Sequence, residues 1–398
     1  MTSDLATVEQ QAHALIAADR LEEVEALLNP WLASGSGPLS LWRLLVVALR
    51  RMGRPAEALP IQRMLVDTVP GDLAARFDLS EILLVLGEFD AGWRAYRYRY
   101  SLPHTTRIER KVQRPRWEGE AIPGRTLLVH DEQGYGDTFQ FLRLVPRAAE
   151  RSRARVVLEV NHEAFALAQR SPLGFDTLTA IGTLPPAFDR HCELMSLPMA
   201  LGLQLADLPG PLPYLLADPV RVARWRQRLR GLERPVVALV WAGRPTHHND
   251  ANRSLTFSEL ARLAVPGVSF VAIQKGPAAT QADDPPRGMT LTSLGDEIAD
   301  FDDTAAILML ADLLISVDSS PVHLAGALGR PAWVLLPFVP DWRWLLGRAD
   351  TPWYPQHRLF RQPRRGDWPA ALAEAAGALA ALRDSMSREP GLRRRGPL

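Results

Sequence analysis

Residues 315–329 constrain the fold more than any other part of the chain. A buried-type strand, 312–317, passes straight into Asp318, Ser319, Ser320 and Pro321, then into a small-residue helical pattern carrying His323. Ser319 or Ser320 suits a helix N-cap and Pro321 suits the first helical position. A helix that starts at the carboxyl end of a strand presents backbone amides to an anion. The stretch therefore predicts a strand–turn–helix unit and a phosphate-bearing ligand. Nearly two hundred residues upstream, Val129-His-Asp-Glu-Gln-Gly-Tyr-Gly-Asp-Thr-Phe139 has the same layout and reads as its catalytic counterpart.

From residue 125 onward, short apolar strands alternate with helical patterns, which predicts an α/β fold with parallel sheets. Strands are expected at 126–130 and 155–160, with a helix over 138–150 between them. A proline-rich passage, 209–219, interrupts the alternation. Strands at 235–241, 268–274, 312–317 and 332–336 then restart it, and an alanine-rich helix over 368–386 follows. Two α/β halves meeting near residue 220 would hold a ligand crevice outside their strand carboxyl ends.

The first hundred residues read differently. Asp19, Gly53 and Gly87 stand 34 residues apart, each between two amphipathic helical patterns. In the middle copy Trp42, Leu45, Gly53, Ala58 and Pro70 take up the signature offsets, so the region resembles the tetratricopeptide repeat. The first copy departs from that pattern, with Asp19 in place of the turn glycine. The resemblance implies a short solenoid whose concave face takes a peptide or protein. After it, residues 92–100 interleave aromatics with arginines. The rings are expected to pack against the next domain while the arginines reach solvent, and residues 101–124, with Pro103, Pro115 and Pro123, read as a connector.

Composition narrows the partners. A net charge of +1 argues against a nucleic-acid partner, and Arg393, Arg394 and Arg395 read as a solvated tail. One cysteine, Cys192, excludes an internal disulfide and a cysteine-rich zinc site. The N-terminus lacks a signal-peptide layout, and no apolar run approaches the roughly 18 residues of a membrane span. The expectation is a cytoplasmic protein with no integral membrane segment.

Gly134 and Gly136, after a strand and before a helix, raise a nicotinamide fingerprint, with Glu159 as the ribose acid. Phe139 in the third glycine position argues against it. Gly-Tyr-Gly-Asp137 together with Val-Asp-Ser-Ser-Pro-Val-His323 instead resembles glycosyltransferase family 9, which includes the ADP-heptose transferases. This likeness covers about residues 119–370. It implies a GT-B fold of two Rossmann-like domains and an inverting transfer from a nucleotide sugar. Attached repeats are also similar to those of O-GlcNAc transferases and flagellin-modifying glycosyltransferases.

By the resemblance, Asp137 is the base that deprotonates the acceptor, with Gly134 and Gly136 giving substrate close access to backbone. Asp318, Ser319, Ser320 and His323 match the motif that grips the diphosphate, Asp318 orienting the loop or touching sugar hydroxyls. Arg253 matches a phosphate-binding basic residue, and Lys275, at the tip of the next strand, is a second candidate counter-charge for the donor diphosphate. Helix capping is the plain alternative for Asp137, and packing for His323. His247, His248 and Asp250 lack metal-site spacing and read as a mobile loop. Asp283-Asp284 and Asp302-Asp303 read as solvated caps, so no metal is expected. Aromatics at 337–344 and 352–355 suit either core or a stacking platform. The usual Gly-Pro-Thr segment is replaced by Leu336-Pro337-Phe338, a departure at the donor side.

The expected organisation is therefore an all-α tetratricopeptide-repeat domain over 1–104, an acceptor-side Rossmann-like domain over 105–220, and a nucleotide-sugar-binding Rossmann-like domain over 221–398. The expected activity is metal-independent glycosyl transfer to a protein or glycan, with no cofactor beyond the donor. A non-catalytic repeat scaffold with a degenerate GT-B region is the main alternative, and a nucleotide-sugar epimerase is a lesser one.

Overall fold

The computed structural model describes residues 2–35, 37–101, 112–247 and 249–388. Pro103 in the expected connector, His248, and the basic tail at 393–395 lie outside the described residues. The chain divides into two compact units. One comprises 1–109 with 202–205 and 339–347; the other comprises 110–201, 206–338 and 348–398.

The first unit is helical: α1 (Thr2–Ala17), α2 (Leu21–Leu32), α3 (Leu39–Arg51), α4 (Pro55–Thr68), α5 (Leu73–Val85) and α6 (Phe89–Tyr96). Asp19, Gly53 and Gly87 all adopt positive φ, at 57°, 72° and 82°. The residue after each donates back to a carbonyl five positions earlier, Arg20 to Leu15, Arg54 to Leu49 and Glu88 to Leu83, at 2.9 Å each. That bond is the mark of a Schellman helix ending. The 34-residue spacing is thus a repeated turn geometry, and Asp19 adopts a left-handed conformation that aspartate tolerates better than most residues. A core running from Val8 to Leu83 fills the space between the helices. Trp93 and Tyr96 of α6 meet Trp342 edge-on, with centroids 5.1 and 6.2 Å apart. Arg99 departs from expectation: it is buried, its guanidinium 4.4 Å from the Tyr100 ring centroid and 5.5 Å from that of Tyr96. Ring faces replace part of the hydration it would have at the surface.

The second unit carries two parallel sheets. The first is built from β1 (Thr126–His130), α7 (Tyr135–Phe141), α8 (Val145–Ser152), β2 (Arg155–Val160), α9 (His162–Arg170), β3 (Thr177–Ala180), β4 (Arg190–Glu193) and α10 (Leu197–Leu201). Its strand order is β3-β2-β1-β4. The helix expected over 138–150 starts earlier and is broken. Gly134 and Asp137 form a cap that starts α7 at Tyr135, and Pro146 in the first turn of α8 forces the chain to restart after a short 3-10 turn.

The second sheet follows α11 (Pro219–Arg228), with β5 (Val236–Val240), α12 (Asp250–Arg253), β6 (Ser269–Ala272), β7 (Thr290–Ser293), α13 (Phe301–Leu310), β8 (Leu313–Val317), α14 (Ser320–Ala327), β9 (Ala332–Leu336), β10 (His357–Arg361) and α15 (Trp368–Arg388). Strand order is β10-β9-β8-β5-β6-β7, all parallel. β5 and β8 are buried along their whole length, as central strands covered on both faces must be. The order reverses between them, so their carboxyl ends flank a topological switch point. No helix among the described residues is long and apolar enough to cross a membrane.

Candidate functional site

Three loops converge at the carboxyl ends of β1, β5 and β8. The β8 loop reaches α14 through Asp318 and Ser319. Ser319 is the N-cap in extended backbone, but its side chain does not cap; the hydroxyl lies 3.1 Å from that of Ser316. The helix starts at Ser320, so Pro321 is its second residue. The Ser319 hydroxyl therefore does not cap α14, and a helix start at the end of a strand is a position suited to an anion.

The β5 loop brings Arg253 to the same point. Its Nη1 donates to the Asp318 carbonyl at 2.9 Å, and its Nε lies 3.4 Å from Asp250. Gly243 makes this possible: a Cβ there would stand 2.7 Å from Arg253 Nη2 and 2.5 Å from Asp250 Oδ1. The loop is fixed by Gln274, which accepts from the amides of Trp241 and Ala242 at 3.0 Å and donates to the Ala242 carbonyl at 3.0 Å. Asp250 and Arg253 lie on a one-turn helix rather than on the unstructured loop expected there.

The β1 loop approaches from the other sheet. An added Cβ on Gly136 would sit 3.0 Å from His323 Cδ2 and 3.5 Å from Ser320 Cα, so only glycine lets α7 lie this close to α14. Asp137 follows at once. Its Oδ2 accepts the Gly134 amide at 3.0 Å, closing the cap of α7. Asp131, which sequence reasoning passed over, anchors the loop. Its buried carboxylate accepts from the Thr138 hydroxyl and the Asn161 side chain, both at 2.6 Å. Burial pushes its pKa up, and those hydrogen bonds oppose the shift.

His323 is buried, with Nδ1 3.0 Å from the Tyr354 hydroxyl and Nε2 3.9 Å from Asp318 Oδ1. The Tyr354 ring packs against α14, where a Cβ at Gly326 would come within 2.2 Å of it. Arg143, also missed from sequence, sits beneath. It donates to the carbonyls of Pro209 and Trp353 and to the Tyr214 hydroxyl, and its guanidinium is 4.8 Å from the Tyr354 ring centroid. The aromatics Trp353 and Tyr354 are therefore core, not a platform. Next to them His357 is held neutral: burial, together with the Arg143 charge, depresses its pKa to about 3.

Gly136, Asp137, Arg253, Asp318, Ser319, Ser320 and His323 thus fall on the three converging loops or in the first turns of the helices they lead into. Lys275 does not join them. Its ammonium donates to the carbonyls of Gly295 and Ile298, at 2.8 Å each, closing the loop that leads to α13. The expectation of solvated caps at Asp302 and Asp303 also fails. Both are buried, Asp302 held by Arg170 and Asp303 by Arg221, Arg224 and the Trp225 indole. The charges tie α9 and α11 to α13, a long-range pairing that local sequence does not reveal. Among the described residues, one group has donor atoms close enough for a metal: His130, His191 and Glu193, within 4.8 Å of one another.

No family model matches the chain. Protein FlbA of Caulobacter vibrioides is 30% identical over 354 residues, covering 78% of this chain and 56% of that protein. The chain thus spans little more than half the length of the curated relative it matches. Among solved structures it is similar to the E. coli ADP-heptose lipopolysaccharide heptosyltransferase II, at 15% identity over 65% of this chain and 99% of the other, with a TM-score of 0.47. A glycosyl transferase family 9 structure from Veillonella parvula gives 10% identity, 66% and 99% coverage and 0.46. The iron-containing dodecameric glycosyltransferase TibC of enterotoxigenic E. coli gives 15%, 69% and 78%, and 0.43. All three scores fall below 0.5.

Proposed function

We propose that the chain is an inverting glycosyltransferase of the GT-B type that uses a nucleotide-sugar donor. The observation that carries this reading is the meeting of Arg253, the start of α14 and Gly136 at the carboxyl ends of β5, β8 and β1. A leaving diphosphate develops negative charge, and helix amides beside a guanidinium stabilise such charge without a metal. Arg253, Ser319, Ser320 and His323 hold the diphosphate, and Asp318 shapes the loop. Asp137 takes the proton of the acceptor hydroxyl as its oxygen attacks the anomeric carbon opposite the leaving group. Lys275 has no part in this reading, since its ammonium is committed to two carbonyls.

The repeated 34-residue turn supports assigning the first unit to the tetratricopeptide repeats, and with it a protein or peptide acceptor in the cytoplasm. Domain limits near 104 and 220 belong to the same proposal. The non-catalytic scaffold draws support from one observation, the use of Asp137 as a helix cap. Purified protein incubated with nucleotide sugars and acceptor peptides or glycans, read by mass spectrometry, separates the two. Asp137→Asn is expected to reduce transfer by about 10²-fold or more while donor binding persists. Equal transfer by Asp137→Asn, or none by either protein, overturns the catalytic reading.

A further inference from the structure

We propose that His130, His191 and Glu193 bind a divalent transition-metal ion of the zinc class at the carboxyl end of the first sheet. His130 ends β1 and pairs in register with Glu193 of β4; His191 lies two residues before Glu193 on that strand. Strand side chains alternate, so all three share one face. Glu159 of β2, paired with His130 on the other side, adds a second carboxylate to that face. All four are buried, at 1% exposure for His130 and Glu193, 4% for His191 and 3% for Glu159.

The geometry fits two imidazoles on one ion. His130 Nε2 and His191 Nδ1 face each other at 3.2 Å. Two nitrogens at zinc distances of about 2.0–2.1 Å, near a tetrahedral angle, stand roughly 3.3 Å apart. One donor atom each from His130, His191 and Glu193 lie within 4.8 Å of one another, so a small closing of the side chains would complete three protein ligands. Glu193 Oε1 also accepts from Arg116, whose Nη2 and Nε stand 2.7 and 2.9 Å away. Imidazole ligands select zinc-class ions over magnesium or calcium. Arg116, beside Glu193, keeps 36% of its side chain exposed.

The ion would stand at the root of the β1 loop, one residue before Asp131. It would hold the frame that carries Gly136 and Asp137 without touching the reacting groups, so it is independent of a metal-free transfer step. A proton shared between the two imidazoles is the competing account of the 3.2 Å contact.

Untagged full-length protein, stripped with a chelator, should be titrated with Zn²⁺ and Co²⁺. One equivalent of zinc is expected to survive gel filtration and to raise the thermal midpoint, and cobalt should give the intense visible absorption of four-coordinate sites. His191→Gln and Glu193→Gln, checked for folding by circular dichroism, should each bind zinc roughly tenfold or more weakly, while the surface variant His13→Gln retains it. No retained zinc and no intense cobalt band, or an equivalent kept by both folded variants, overturns the site. Should neither variant fold, the cobalt spectrum of the parent protein decides alone.

Discussion

At the residue scale the candidate site is held by a short relay. Arg143 packs under Tyr354, Tyr354 bonds His323 Nδ1, and His323 Nε2 is thereby aimed toward Asp318 and Gly136. Tyr354→Phe removes only the hydroxyl, so a loss of about 1 kcal/mol in nucleotide-diphosphate affinity is expected, with no loss of fold. Calorimetric titration checks it; unchanged affinity would mean that His323 is positioned by packing alone. His357 supplies a pH test. Its native pKa of about 3 lies below the ordinary histidine value of 6.5, so between those limits the unfolded chain binds the extra proton. Stability is therefore full above about pH 6.5 and falls on acidification, by about 2 kcal/mol at pH 5 from this residue. His357→Leu should flatten that fall in urea midpoints measured at pH 7.5 and 5. Equal slopes in the two proteins would contradict the burial account.

At the scale of elements, α14 is fixed from both sides, by Gly136 of α7 at its start and by Tyr354 over Gly326 in its last turn. Gly326→Ala drives a methyl into the ring, and a cost of about 1–3 kcal/mol is expected. Gly377→Ala, where a Cβ meets nothing within 4 Å of α15, should instead stabilise by up to about 1 kcal/mol. Urea denaturation of both variants checks the pair. The sequence displayed these elements because their signals are local. Buried strands read as apolar runs at 236–240 and, interrupted only by Ser316, at 313–317, and the turn positions 19, 53 and 87 recur at one spacing. Partners far along the chain gave no such signal. Lys275 reads as a counter-charge for phosphate because it follows a strand, whereas carbonyls twenty or more residues on capture it. Asp303 reads as a solvated cap because its arginines are about eighty residues away. His130, His191 and Glu193 meet only through β1–β4 pairing, across about sixty residues of chain.

At the scale of the whole molecule, the second unit joins its two sheets through charge and ring contacts. Arg170 of α9 holds Asp302 of α13 with two bonds, and Arg143 links the 209–214 passage to Trp353 and Tyr354. These contacts keep the β1 loop against α14, and the switch point of the second sheet supplies the third loop. The central claim is that this meeting place binds a nucleotide diphosphate. It is tested most directly by thermal shift of the full chain against UDP-, GDP-, ADP-, dTDP- and CMP-linked sugars without added magnesium. A ligand that binds only the folded protein raises its midpoint, by an amount set by concentration over affinity. One base-selective rise, lost in Arg253→Gln at unchanged intrinsic midpoint, is the predicted result. No rise with any donor, or a rise that survives Arg253→Gln undiminished, would contradict the account.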